Sequence, residues 1–568
     1  MVVRNMSAQG YLTTSPTSLS SLHLSIKDRN REAVGRYILL SRDQGLWDKR
    51  ESTLQSSHSN KPPLSQSIRA TFDHLFIREK DPPYIYVILG GVTLIGFVLR
   101  VIDINQSIAY DEAYTFIHFA SRAFKHILAD YSAPNNHIFH TILVSIAYRL
   151  FGGQPWALRL PALTAGILMI PAMYITARRF FSSSQSLAAS ALIAVTHSFI
   201  NYSVNARGYT LLFLLTLLLT NFAGILVTRQ SKAALVAFTL TTTLGFYTIP
   251  IFLYPMAGIC LWVFATYLVS SEPGQVKLRK LAVFLGICAI SILLTIILYS
   301  PVILFGSGLS SLISNEIVKP LNWSNFLENL DPRMLKAWNK WMMGVNPTIE
   351  NLFSGGFFVS LLLYRKVSNQ KLPMQIFLAF GASFLVVIQR VTPLPRIWLY
   401  LEVFYLMFAA AGLVWLAELL VSRFLAPPLA QKTLSTAILL IFIGVFTNAL
   451  IIRHQNPVFQ DLDLLPEAYA ANYLADHLTA ADTLVATGPV DIQTAYYLSL
   501  HNIPFERFYQ RDHPVKIQNA FVMVRQTSKY KTPESVLDFF NLDQVLDVSR
   551  SELVYEYASV QIYAIPAK

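Results

Sequence analysis

The sequence predicts an α-helical polytopic membrane protein that ends in a small soluble α/β domain. Three observations carry that prediction. Of the 568 residues, 53% are hydrophobic and only 14% are charged, too apolar a balance for a soluble chain of this length. Long apolar runs recur from residue 84 to residue 452, and a bilayer core of about 30 Å needs about 20 such residues per helix. Beyond residue 452 the composition turns soluble and short strand-like and helix-like patterns alternate.

Residues 1–82 precede the first apolar run and are Ser-rich, with "STLQSSHSNKPPLSQS" as a low-complexity stretch. This reads as a disordered cytoplasmic extension. It has no early apolar core of the kind a cleavable signal needs, so the first membrane helix is expected to direct insertion. The net charge of +12 is no footprint for nucleic acid, because Lys and Arg fall largely in short links between apolar runs. Cys260 and Cys288 both lie inside such runs, which argues against a disulfide framework or a thiolate metal site.

Predicted membrane helices cover residues 84–101, 157–177, 186–203, 209–228, 233–249, 251–270, 281–305, 349–364, 374–390, 398–421 and 433–452. A shorter run, "HIFHTILVSIAYRLFGG" (137–153), carries His137, His140 and Arg149 and is read as interfacial. With about eleven crossings and a cytoplasmic N-terminus, the inner links hold Arg178 and Arg179, Arg229 and Lys232, Lys277 to Lys280, Arg365 to Lys371, and Arg423 and Lys432. If the short run crossed, all of these clusters would move outside. The outer face then gathers the 102–156 and 306–348 loops, the 203–208 turn, the 390–397 link and the C-terminal domain at 453–568. In that domain "DTLVATG" and "AFVMVR" read as strands, "VDIQTAYYLSL" and "PESVLDFFNL" as helices, and "ASVQIYAI" as a last strand.

"SIAYDEAYTF" (107–116) places Asp111 and Glu112 side by side at a predicted helix start on the outer side. One reading has Asp111 capping the helix and Glu112 complementing its dipole. The other has a general base at the mouth of a membrane cavity. "NYSVNARGYTLL" puts Arg207 and Tyr209 at an outer helix start, "TPLPRIWLYLEVFYL" puts Arg396 in the same setting, and "WALRLPALTAG" adds Arg159. Such arginines either snorkel to the interface or clamp phosphate, whose oxygens a guanidinium fork matches. "SAPNNHIFHT" supplies Asn135, Asn136 and His137, polar groups fit to bind a sugar or to order their loop. His137 and His140 lie three apart, a spacing more common for interfacial histidines than for metal ligands. "DLD" (461–463) imitates a nucleotide-sugar motif but falls on the wrong side for one, and reads as a solvated link.

In this order along a multi-crossing chain, these pieces resemble the GT-C membrane glycosyltransferases, in particular glycosyltransferase family 39. That group includes the protein O-mannosyltransferases and the lipid A aminoarabinose transferases. The likeness spans about residues 84–452 and rests on "AYDEAYTF", "NNHIFHTILVSIAYRLFGGQPWALRLPALTAG", "NYSVNARGYTLL" and "PRIWLYLEVFYL". The resemblance implies a GT-C fold and a polyprenyl-phosphate sugar donor. It implies Asp111 as catalytic base with Glu112 in support, and Arg207, Arg396 and Arg159 on the donor phosphate. Asn136, His137 and Tyr209 are the expected substrate-binding residues. Two departures bear on the metal: Asn205 stands where relatives carry a carboxylate, and "FYTIPIF" lacks a hairpin histidine; separately, Asn136-His137-Ile138 replaces a His-Pro-Pro or Lys-Pro-Pro signature. A site without metal or other cofactor is therefore expected. The acceptor is a protein, lipid or polysaccharide, nucleic acid is no partner, and the setting is a bacterial-type inner membrane. Two other classes fit the same cavity, a transporter or flippase and a non-catalytic glycolipid-binding relative. A transporter would carry charges in mid-helix, which this chain largely lacks.

Overall fold

The computed structural model describes residues 64–77, 80–313, 320–343, 345–391, 394–455, 465–511 and 517–568. The chain separates into Met1–Arg69 and Ala70–Lys568, and everything below concerns the second unit. The expected disorder up to residue 63 and the "DLD" reading lie outside the described residues. A helix covers Leu64–Phe76, at the end of an extension expected to be disordered or weakly ordered. Its end is held because the His74 and Leu75 carbonyls accept hydrogen bonds from Arg229 and Arg179.

Helices form at all eleven predicted membrane segments. The first is α1 (Pro83–Val101), and the outer loop after it folds into α2 (Tyr110–Thr115), α3 (Phe124–Ala129) and α4 (Ile138–Phe151). Then follow α5 (Pro155–Ala177), α6 (Ser183–Val195), α7 (His197–Ser203), α8 (Tyr209–Thr228) and α9 (Lys232–Thr248). The bundle continues through α10 (Leu253–Leu268), α11 (Gly274–Phe305), the outer-loop helix α12 (Trp323–Trp341) and α13 (Pro347–Leu362). It closes with α14 (Met374–Gln389), α15 (Leu399–Val421) and α16 (Pro427–Gln455). Among the described residues, six helical segments are long and apolar enough by themselves to cross a membrane. The protein is thus an integral membrane protein.

One predicted helix, 186–203, is two. Thr196 is extended, which ends α6 and leaves carbonyls without intrahelical partners. Arg100 of α1, fully buried, donates to the Ile193 and Ala194 carbonyls at 3.2 and 3.0 Å and to Ser203 Oγ at 3.0 Å. A cation on the C-terminal carbonyls of a helix is favourable twice over, by hydrogen bonding and by the helix dipole. This fit needs a close approach: a Cβ on Gly96 would meet Ile170 at 2.5 Å.

The short helix α4 spans roughly 21 Å, less than a bilayer core. His137, just before it, touches Gly208, and Gly153, just after it, accepts a hydrogen bond from Tyr496 of the C-terminal domain. At the far end of α5 the cationic links gather instead. Arg178 pairs with Asp81 at 2.9 Å, Arg179 donates to Asn221, and Asn369 N donates to the Phe180 carbonyl.

The C-terminal region carries α17 (Pro466–His477), β1 (Asp482–Ala486), α18 (Val490–Leu500), β2 (Asn519–Arg525), α19 (Pro533–Phe540), β3 (Glu552–Tyr557) and β4 (Val560–Pro566). The sheet order is β1-β2-β4-β3, with β1 and β2 parallel and the other pairs antiparallel. The sequence reading missed β3, because "ELVYEY" is a largely exposed edge strand with little apolar signal. This region shares one apolar core with the first outer loop: Ile108, Ala113, Phe116 and Ile117 pack among Tyr496, Leu498 and Ile562. Gln493 and Tyr497 of α18 also hydrogen-bond the backbone of Ile108. The acidic pair therefore sits on a shelf built by the C-terminal region.

Candidate active site

The two neighbouring acids have separate surroundings. Glu112 is buried and accepts four hydrogen bonds, from Arg159 Nε and Nη2 (2.9 and 2.8 Å), Ala206 N (2.6 Å) and Ala109 N (2.9 Å). It thereby caps α2 from within, reaching back one turn to Ala109. Asp111, read as the cap in the structural interpretation of the sequence, has its side chain elsewhere. Its Oδ2 accepts from Arg396 Nη1 at 2.9 Å and lies 3.5 Å from Arg207 Nη1. Its side chain is 36% exposed, against 1% for Glu112.

Arg159 donates all five of its N–H groups: two to Glu112, and the others to the carbonyls of Ile104, Gln106 and Ser107. No donor is left for a phosphate, so the expected role of Arg159 on the donor is corrected to one of holding the first outer loop. Arg207 is buried, donates from Nη1 to the Asp111 carbonyl at 3.2 Å, and leaves Nε without a partner among the described residues. Arg396 stands on a 3-10 turn, Pro395–Trp398, and is 31% exposed. Asp111, Arg207 and Arg396 thus meet in one place.

His137 is buried beside them. Its Nδ1 accepts from Gly208 N at 2.9 Å, which assigns the ring proton to Nε2. Nε2 lies 3.4 Å from Arg207 Nη2, a contact between two donors rather than a hydrogen bond. Burial first, then the Arg207 charge, hold the imidazole well below the ordinary histidine pKa, so the ring is neutral. Tyr209 lies under Arg207 and edge-on to both His137 and Tyr202. Asn136 spends its amide hydrogens on the Ile127 and Asp130 carbonyls, which orders the loop, one of its two expected roles. His140 is fully buried with neither ring nitrogen partnered, and no cluster of three or more metal-type ligands occurs among the described residues.

Sequence reasoning missed Tyr202, Lys340 and Ser198 at this site. Lys340 comes from α12, and Ser198 donates to the fully buried Glu402 at 3.2 Å. The tryptophans of the 306–348 loop, Trp323, Trp338 and Trp341, are the signal that could have pointed toward Lys340.

Residues 135–305 match the family model described as dolichyl-phosphate-mannose-protein mannosyltransferase. The fold is similar to that of apo ArnT from Cupriavidus metallidurans, with a TM-score of 0.54, 14% identity, 85% of this chain and 97% of that chain covered. The chain thus has a GT-C fold, and residues 135–305 resemble that mannosyltransferase family. Lesser likenesses are to the protein O-mannosyltransferase Pmt1-Pmt2 complex of S. cerevisiae (TM-score 0.34, 16% identity, 44% of this chain and 39% of that chain) and to AglB, an oligosaccharyltransferase of Archaeoglobus fulgidus (0.45, 11%, 84% and 74%). No curated protein matches the chain by sequence. The family match begins after Asp111 and so does not include the acidic pair.

Proposed function

We propose that this protein transfers a sugar from a polyprenyl-phosphate donor to an acceptor at the extracytoplasmic face, with Asp111 as the base. The observation that carries the reading is a partly exposed carboxylate held between two guanidiniums at the mouth of a GT-C bundle. The match to a dolichyl-phosphate-mannose family supports the donor class. In this assignment the N-terminus and cationic links face the cytoplasm, and residues 453–568 lie outside with the site.

Before the donor arrives, Arg396 and Arg207 neutralise Asp111. A donor phosphate competes for both forks, since guanidinium pairs bidentately with phosphate oxygens. That exchange frees the carboxylate for the acceptor. Asp111 then takes the proton of the acceptor hydroxyl or amine as the acceptor oxygen or nitrogen bonds to the anomeric carbon. The bond from that carbon to the phosphate oxygen breaks, and its electron pair leaves with the polyprenyl phosphate. Arg207, Arg396 and the His137 Nε2–H receive the growing negative charge. A single displacement of this kind inverts the anomeric configuration. Glu112 and Arg159 hold the helix and turn that present Asp111 and Arg207.

The test is turnover of a polyprenyl-phosphate sugar by the full chain in lipid nanodiscs. Asp111→Asn should lower turnover by roughly 10²–10⁴-fold while leaving the unfolding temperature unchanged. A variant retaining most of its turnover would remove Asp111 from the reaction.

A further inference from the structure

The reaction as drawn leaves one cation at the pocket unused. Lys340, next to last in α12, lays its ammonium 5.6 Å above the Tyr202 ring and 3.5 Å from that hydroxyl. Tyr202 packs on Tyr209, the aromatic floor beneath Arg207. Lys340 is half-buried and forms no ion pair among the described residues. Burial, and after it the nearby Arg396 charge, hold its pKa below the usual lysine value, with Glu402 acting in the opposite sense. Glu402 is not its partner in any ion pair: one oxygen accepts from Ser198, and the other is buried without a partner among the described residues.

A further cation within reach of the Arg396 charge is costly while Asp111 is the only carboxylate that Arg396 pairs with among the described residues, because like charges repel more strongly as water is excluded. A phosphate relieves that cost, and the leaving group relieves it most. A sugar phosphodiester carries one negative charge, whereas a phosphate monoester carries about −1.5 to −2 near neutral pH. A second feature points to the same amphiphile. A cavity of 660 Å³ is walled by Ala337, Trp338 and Trp341 of α12, the helix that carries Lys340, and by Trp398 and Leu401, with Asp331 of the same helix also on its wall. Trp338 and Trp341 also pack on Tyr405, which anchors the end of α12 that bears the lysine. A largely apolar cavity along the helix that carries Lys340 suits a lipid chain.

We propose that Lys340 is a third phosphate-binding cation of this site, delivered by the outer-loop helix, and that it acts chiefly on the leaving polyprenyl phosphate. The inference rests on the transfer reaction proposed above. It differs from a packing role for α12 in depending on the charge of the ligand.

The experiment compares wild-type, K340M and K340R full-length protein in nanodiscs. It measures binding of a polyprenyl monophosphate and of the matching polyprenol without phosphate, together with donor kcat and KM. K340M should bind the monophosphate at least tenfold more weakly and bind the polyprenol as wild type does. Its kcat should fall by about 10–10²-fold, less than for a fully enclosed donor, with a smaller change in KM. K340R should recover most of both. K340M that binds monophosphate normally and turns over normally overturns the inference alone. Equal loss of monophosphate and polyprenol binding assigns Lys340 to packing and overturns it as well. Wild-type protein indifferent to monophosphate would overturn this inference and the transfer reading together.

Discussion

Removing Glu112 tests the distinction between the two adjacent acids. In Glu112→Ala the Arg159 guanidinium, 0% exposed, loses both of its carboxylate bonds, and the Ala206 and Ala109 amides lose their acceptor. Breaking a buried pair by deleting one partner typically costs about 3–5 kcal/mol, and each buried amide left unsatisfied costs about 1–3 kcal/mol. The larger figure is an upper bound, because water enters a widened outer loop. Replacing both members, Glu112→Leu with Arg159→Met, should recover only part of the loss. Arg159 also serves three carbonyls, those of Ile104, Gln106 and Ser107, and a methionine leaves them bare. A double-mutant cycle on the unfolding of detergent-solubilised protein reads the coupling directly. Turnover should fall in step with the displacement of α2, so Glu112→Gln should be both less stable and less active. If Glu112→Gln keeps wild-type stability yet loses all turnover, Glu112 takes part in the chemistry and the positioning argument is wrong. If Glu112→Ala keeps both, the bracket itself is refuted.

Two further outcomes follow from the same geometry. A Cβ at position 208 would meet Thr248 at 2.9 Å and His137 Cβ and Nδ1 at 3.1 Å. Gly208→Ala should therefore push His137 off the Gly208 amide and lower turnover by about tenfold or more, with little change in unfolding temperature; unchanged turnover would show that the placement of His137 does not matter. In the C-terminal region, burial pushes the Asp491 carboxyl up to about 6, facing Tyr110 and Tyr114 of the site loop. A carboxyl whose folded pKa is raised binds its proton more tightly when folded. Its contribution is therefore full below the unfolded value of 3.8 and is lost as pH rises through about 6. The change is at most roughly 3 kcal/mol. Wild-type protein should lose more unfolding temperature between pH 5 and pH 7.5 than Asp491→Asn, and identical pH profiles would refute the assignment.

Much of the bundle was legible because a membrane imposes a coarse, repeated demand that composition reveals. Runs of about 20 apolar residues and cationic links mark helices and sides without knowledge of packing. The break at Thr196 was not legible, since it depends on a buried arginine of another helix meeting freed carbonyls. Strand β3 escaped because an exposed edge needs no apolar face. The structure brings Asp111, Arg207, Arg396 and His137 together, but the sequence could not assign their partners. Lys340 was invisible as a site residue because its neighbour Tyr202 lies 138 positions away.

By itself, the sequence determined that this chain is a helical membrane protein with acids and arginines at helix starts. It could do so because burying apolar surface in lipid and satisfying backbone hydrogen bonds within helices are requirements each segment meets alone. Only the tertiary structure decided that Asp111 meets Arg396 while Glu112 meets Arg159. Adjacent helical side chains point about 100° apart, and their partners come from 285 and 47 residues away. Which acid is left accessible to a substrate is therefore a property of the packed loops, not of the dipeptide.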